Sequence, residues 1–165
     1  MGSDFYHSAI LPHAGIIIKI CRAYTNNQAD FDDYYQEVCL QIWRSRESFN
    51  EQCAWTTWIY KITLNVCLTF FKKSKQANIT FTSDPIEQAQ SCHDTSSQTS
   101  QIKQLYKAIH QLSEIDRAII LLYLEQLSQQ EIATIIGITP TNAGVKISRI
   151  KQRLTSLMQS GGSHE

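Results

Sequence analysis

The chain has 165 residues, 42% of them hydrophobic, and its 15 Lys and Arg are balanced by 15 Asp and Glu. That length suits one ordinary domain or two small ones, and a formal net charge of zero gives no overall push toward a polyanion. Six Gly and three Pro supply little turn chemistry, which argues against a many-stranded fold and for long helices. No apolar run approaches the ~20 residues of a membrane span, and the N-terminus lacks the features of a secretory signal. The expectation is an all-α, cytoplasmic protein.

In chain order, Phe5 to Tyr24 reads as a first helix, with Ile10, Ala14, Ile17, Ile18 and Cys21 at helical spacing. A second begins near Asp30, an apt N-cap, and carries an apolar stripe of Phe31, Tyr34, Tyr35, Val38, Ile42 and Trp43. Its other face presents Asp32, Asp33, Gln36 and Glu37. A third spans about Ala54 to Lys73, with Trp55, Ile59, Ile62, Val66 and Phe70 on one face. Lys72, Lys73 and Lys75 close it, as cations suit a helix C-terminus. Residues 76–100 are rich in Ser, Thr, Gln and Asp and lack periodicity. They read as a flexible linker between two small helical domains, 5–75 and 101–158.

The C-terminal part opens with a helix from about Gln101 to Gln111 and a second from Ser113 to Glu125. Ser128 followed by Glu131 then forms a capping box, with Leu127 and Ile132 at the hydrophobic-staple positions. Gly137 stops that short helix, and Thr139 with Pro140 starts another that runs past Leu154. Helix, tight turn, helix is the arrangement that lays a second helix in the DNA major groove. The outward face of that helix would show Thr141, Asn142, Lys146 and Arg149, with Lys151 and Arg153 extending the phosphate contact. Gly144 inside it reads equally as close approach to DNA or as simple tolerance.

Charge is segregated along the chain. Asp30 to Glu51 holds six acidic residues, whereas Lys61 to Lys75 holds four Lys and no acid. Lys146, Arg149, Lys151 and Arg153 form a second basic segment. Two basic segments and one acidic one imply two polyanion contacts and a different third partner. Trp58, Lys61, Asn65, Lys72 and Lys73 lie in an aromatic and basic stretch that suits single-stranded nucleic acid, although aromatics at helical spacing also suit a core. Five widely spaced Cys without a CxxC pair argue against a zinc site, and three of them fall within helical patterns as small apolar residues. The pair Cys92-His93 is too small to define a metal or redox centre. No nucleophile–base pair or Gly-rich phosphate loop marks an enzyme, and no cofactor is expected.

Three segments together resemble the sigma factors of bacterial RNA polymerase, in particular the small two-domain extracytoplasmic-function (ECF) class. They are the acidic stretch Asp33 to Trp43, the stretch Ala54 to Asn65, and the helix-turn-helix from Leu127 to Thr139. The resemblance implies that Asp33, Gln36 and Glu37 bind the clamp helices of the polymerase's largest subunit. It implies that Trp58, Lys61, Asn65, Lys72 and Lys73 engage the melted minus-ten element of promoter DNA. The C-terminal helix would read the minus-thirty-five element as duplex. Members of this class are often held inactive by an anti-sigma protein. The rival expectation is an autonomous, dimeric helix-turn-helix regulator.

Overall fold

The computed structural model describes residues 2–80 and 97–161, with side chains over 3–76 and 100–161. Every regular element among the described residues is helical. They form two compact units, residues 2–80 and 97–161. The expected linker over 76–100 falls mostly outside the described residues.

The first unit begins with α1 (Gly2–Phe5), a π-helical turn (Tyr6–Ile10) and a 3-10 turn (Leu11–His13), before α2 (Ala14–Ala23). The single helix expected from Phe5 to Tyr24 is therefore interrupted. Pro12 is the cause: it has no N–H to donate, and its ring crowds the carbonyl one turn earlier. The backbone widens instead, and Leu11 N–H reaches the Tyr6 carbonyl.

α3 (Gln28–Ser45) is capped by Asn27, not by Asp30. The Asn27 Oδ1 accepts from the Asp30 N–H at 2.8 Å, and its Nδ2 donates to the Asp30 carboxylate at 3.0 Å. Both residue types make good caps, and the wider reach of the apolar stripe does not separate them; the backbone path into the helix does. Asp30 then lies in the first turn, where the helix dipole favours its charge.

A 3-10 turn (Arg46–Ser48) and a loop lead to α4 (Trp55–Thr80), which continues past the end expected at Lys73. α2, α3 and α4 pack against one another around Ile17, Ile20, Val38, Ile42, Ile59 and Cys67, all essentially without solvent contact. The buried face of α4 is Ile59, Tyr60, Thr63, Leu64, Val66 and Cys67. It shares Ile59 and Val66 with the stripe expected through Trp55, Ile59, Ile62, Val66 and Phe70, whose other members are half-buried, and turns from it toward Tyr60, Leu64 and Cys67. The polar residues hid it: Thr63 is wholly buried because its hydroxyl donates to the Ile59 carbonyl at 2.8 Å. A satisfied hydroxyl can go where an unsatisfied one cannot.

The second unit holds α5 (Ser97–His110), α6 (Glu114–Leu124), α7 (Gln129–Ile136) and α8 (Pro140–Gly161). α8 packs on the other three helices through Ala143, Ile147, Ile150 and Leu154. Ser113, where the sequence analysis opens this helix, caps α6 by accepting from the Asp116 N–H. Arg117 on α6 is buried, and its Nε donates to the Leu112 carbonyl at 3.1 Å while its guanidinium also meets the His110 carbonyl. It thereby satisfies acceptors left open where α5 ends.

Candidate functional site

The helix-turn-helix is built by local chemistry. Ser128 Oγ accepts from the Glu131 N–H at 3.1 Å, and the Glu131 carboxylate accepts from the Ser128 N–H at 2.7 Å, completing the capping box. Gly137 has φ +86°, a left-handed conformation that costs a glycine nothing. Its N–H and that of Ile138 both donate to the Ala133 carbonyl, at 2.8 and 3.0 Å. Thr139 Oγ1 then accepts from the Asn142 N–H at 3.2 Å, and Pro140 stands at the first helical position of α8.

The outward face of α8 carries Thr141, Val145, Ser148, Arg149 and Gln152, all exposed. Asn142 and Arg153 are exposed toward one flank, while Lys146 is half-buried beside them. Lys151 is exposed on the other flank, where its Nζ donates to the Tyr123 hydroxyl at 3.1 Å and lies 5.0 Å from the ring centre. Val145, Ser148 and Gln152 were missed because none carries charge; counting outward from the buried Ala143, Ile147 and Ile150 would have found them.

Gly144 has a role that neither of its two sequence readings held. A Cβ there would lie 2.3 Å from Gln129 Nε2, the atom that donates to the Pro140 carbonyl. The glycine makes room for a side chain from the start of α7 to tie the start of α8. Gly144→Ala would gain about 1 kcal/mol of helix propensity and displace a hydrogen bond worth about 1 kcal/mol net. Because the Gln129 amide can swing into solvent, the expected result is a melting temperature within about 4 °C of wild type, checked by circular dichroism.

On α4, the residues singled out in the sequence fall on one outward strip. Trp58, Lys61, Asn65 and Lys72 follow one another at helical spacing, with Lys73 on the adjoining flank. Asn65, Lys72 and Lys73 are exposed, and Lys61 is half-exposed. Trp58 is half-buried and belongs also to an aromatic cluster. Its ring centre lies 4.8 Å from that of Trp55 and 5.5 Å from that of Phe49. Trp55 is anchored from the other side by its Nε1–H, which donates to the Ala9 carbonyl at 3.0 Å. Trp55 and Trp58 are both half-buried, and Trp58 ends the cluster beside the basic strip.

On α3, Asp33 and Gln36 are exposed, while Glu37 is half-buried and accepts from Gln41 Nε2 at 2.9 Å. Leu40 sits among them, 39% exposed, although it lies off the buried stripe of Tyr34, Val38 and Ile42. Beside it is an apolar groove of about 470 Å³ lined by Phe5, Tyr6, Ile10, Tyr35, Gln36, Cys39, Leu40 and Trp43. Its floor is held in place by Tyr6 and Tyr35, whose hydroxyls are 2.9 Å apart. Burial, with the Tyr6 hydrogen bond, pushes the Tyr35 hydroxyl up from its usual range. Burial likewise pushes the Cys39 thiol up to about 11.

The neutral thiol is therefore the form that the folded unit favours. Its contribution is present below the ordinary thiol range and is lost as pH rises toward about 11. Cys39 should consequently alkylate slowly with iodoacetamide at pH 8, by at least tenfold relative to the same residue in denaturant, because the thiolate is the nucleophile. Peptide mass spectrometry reads this directly, and equal rates in the two conditions would contradict it.

Cys21 and Cys67 are buried with sulfurs 3.9 Å apart, as small core residues. Among the described residues no group of His, Cys, Asp and Glu could hold a metal ion. Cys92 and His93 lie outside the described residues. No helix among the described residues is long and apolar enough to cross a membrane.

A helical unit with an acidic and apolar face, a basic strip beside aromatics, and a second unit built on a helix-turn-helix define a DNA-binding protein of transcription. Residues 10–77 match Sigma-70 region 2, and residues 102–154 match Sigma-70, region 4. The chain belongs to the sigma-70 family of RNA polymerase sigma factors and is of the ECF type. It is 23% identical to the RNA polymerase sigma factor NccH of Alcaligenes xylosoxydans xylosoxydans, over 90% of this chain and 83% of that one. It is 22% identical to the ECF RNA polymerase sigma factor SigM of Mycobacterium tuberculosis, over 85% of this chain and 70% of that one. Solved structures share the fold. The sigma factor RpoE of Bartonella quintana, in complex with the anti-sigma factor NepR, aligns with a TM-score of 0.78 at 19% identity, covering 94% of this chain and 97% of that one. CnrH in complex with the cytosolic domain of CnrY gives 0.69 at 15% identity, covering 96% and 90%.

Proposed function

We propose that this chain binds core RNA polymerase through α3, opens the minus-ten element with α4, and reads the minus-thirty-five element as duplex with α8. The observation that carries the reading is the separation of three unlike surfaces on a family scaffold. Gln36 and Leu40 edge an apolar groove, with Asp33 and Glu37 beside them on the same helix, which suits a protein partner. Trp58, Lys61, Asn65, Lys72 and Lys73 combine an aromatic edge, an amide and cations, which suits an unpaired strand: a flipped base costs a few kcal/mol, offset by stacking and hydrogen bonds. Thr141, Asn142, Lys146, Arg149, Lys151 and Arg153 suit duplex DNA, with Arg149 able to hold a guanine by two hydrogen bonds.

In this reading the domains are 5–75 and 101–158, and residues 76–100 tether them. The chain performs no chemistry; the polymerase makes the RNA. Two weak DNA contacts become effective because one large partner holds both at high local concentration. Zero net charge agrees with weak binding by the free protein. An anti-sigma protein as a regulator is part of the proposal, since the sigma factor RpoE, of similar fold, is bound to such a partner.

Run-off transcription with added core polymerase on a genomic fragment library tests the whole reading. Defined transcripts should appear only when both proteins are present. Tight, dimeric DNA binding by the free chain in a gel shift would favour the autonomous regulator instead. Arg149→Ala should lower initiation from duplex promoters about ten- to a hundredfold, while leaving polymerase binding within twofold. Equal loss of both activities would show the faces to be wrongly assigned.

A further inference from the structure

The centre of the outward face of α8 is apolar. Val145 is 44% exposed there, with Thr141 one turn before it and Ser148 and Arg149 one turn after. A β-branched residue is among the less favourable choices in a helix, and this one is not buried within its own unit. A single exposed valine is ordinary on a protein surface; its position is what matters here. Gln129 ties the start of α7 to the start of α8 from the neighbouring side, so the two helices meet beside Gly144 and leave the Val145 side uncovered. The side chains around Val145 are all able to read base edges by hydrogen bonds, whereas Val145 can only make apolar contact.

The major groove offers one apolar landmark among the four bases, the C5 methyl of thymine. We propose that Val145 is a specificity-determining residue that packs on a thymine methyl in the upstream duplex element. Arg149, one turn along the same face, reads a guanine about one or two base steps away, because a helical turn rises 5.4 Å and a base step about 3.4 Å. The inference rests on the reading of α8 as the recognition helix.

The test uses holoenzyme assembled from the full chain and core polymerase, and a library of synthetic duplexes randomised in the upstream element. Synthetic DNA carries no methylcytosine, so thymine is the only source of the methyl. Wild type should select a thymine at one pair near a selected guanine. Val145→Ala should lose the preference at that pair and keep the guanine; Arg149→Ala should lose the guanine. In the selected duplex, replacing that thymine by deoxyuridine should weaken wild-type binding about fourfold, the worth of one buried methyl group. The same replacement should leave Val145→Ala unaffected. The proposal is overturned if the two proteins select the same pattern, or if deoxyuridine affects both alike. If wild type selects an upstream element that Arg149→Ala selects equally well, the recognition-helix reading fails, and the role of Val145 with it.

Discussion

Leu40→Glu should leave the protein folded and abolish its binding to core polymerase. Leu40 is 39% exposed on α3 and lies off the buried stripe, so the change should alter stability by no more than about 0.5 kcal/mol. In a docked complex the same position would lie at the rim of the apolar groove, beside Gln36. A carboxylate desolvated there without a partner costs several kcal/mol, which is a loss of more than about a hundredfold in affinity. Gln36→Ala with Glu37→Ala should have a smaller effect, about ten- to a hundredfold, because rim polar groups tune rate and register more than affinity. Its loss should shrink as salt is raised, whereas that of Leu40→Glu should persist. Titration of labelled chain with core enzyme measures all of these. Core binding by Leu40→Glu within twofold of wild type would remove the groove from the interface.

Ile132→Ala should unfold the second unit at temperatures where the first is intact. Ile132 is fully buried on α7, where it belongs to the core shared with α8. Removing the three carbons should cost about 2–5 kcal/mol, including the cavity left behind. A domain of this size holds only about 5 kcal/mol in total, so little margin would remain. The tryptophans make the measurement selective: Trp43, Trp55 and Trp58 all belong to the first unit. Trp fluorescence should melt as in wild type, while far-ultraviolet circular dichroism shows a new transition at lower temperature. Coincident shifts in both signals would mean that the units unfold together.

The second unit was the more legible of the two, because its instructions are short-range. Ser128 with Glu131, Gly137, and Thr139 with Pro140 each act within one turn of themselves. The resulting helix ends follow from hydrogen bonds that the segment makes to itself. The first unit was less legible where two residues competed for one task or where a distant neighbour settled the outcome. Asn27 and Asp30 are equally good caps, and the entry path of the chain selects Asn27. Pro12 has an unambiguous local effect, yet an otherwise regular apolar stripe masked it.

The sites divide in the same way. Charged candidates such as Arg149 and Lys72 stand out in sequence because a charge faces solvent or a polyanion unless, like Arg117, it is held by buried carbonyls. Leu40 and Val145 do not, since an apolar residue is read as core until the opposite face is known to be full.

What the sequence determined by itself was the helical class, the helix-turn-helix with its caps and the segregation of charge, all consequences of residues within a turn or a short stretch of one another. What the tertiary structure alone decided was how far the buried face of α4 turns toward Tyr60, Thr63 and Leu64, the use of Gly144 to seat Gln129, and the apolar groove beside Leu40. Each of these depends on which side chain from a remote part of the chain fills a given space, and close packing between helices carries that information where periodicity cannot.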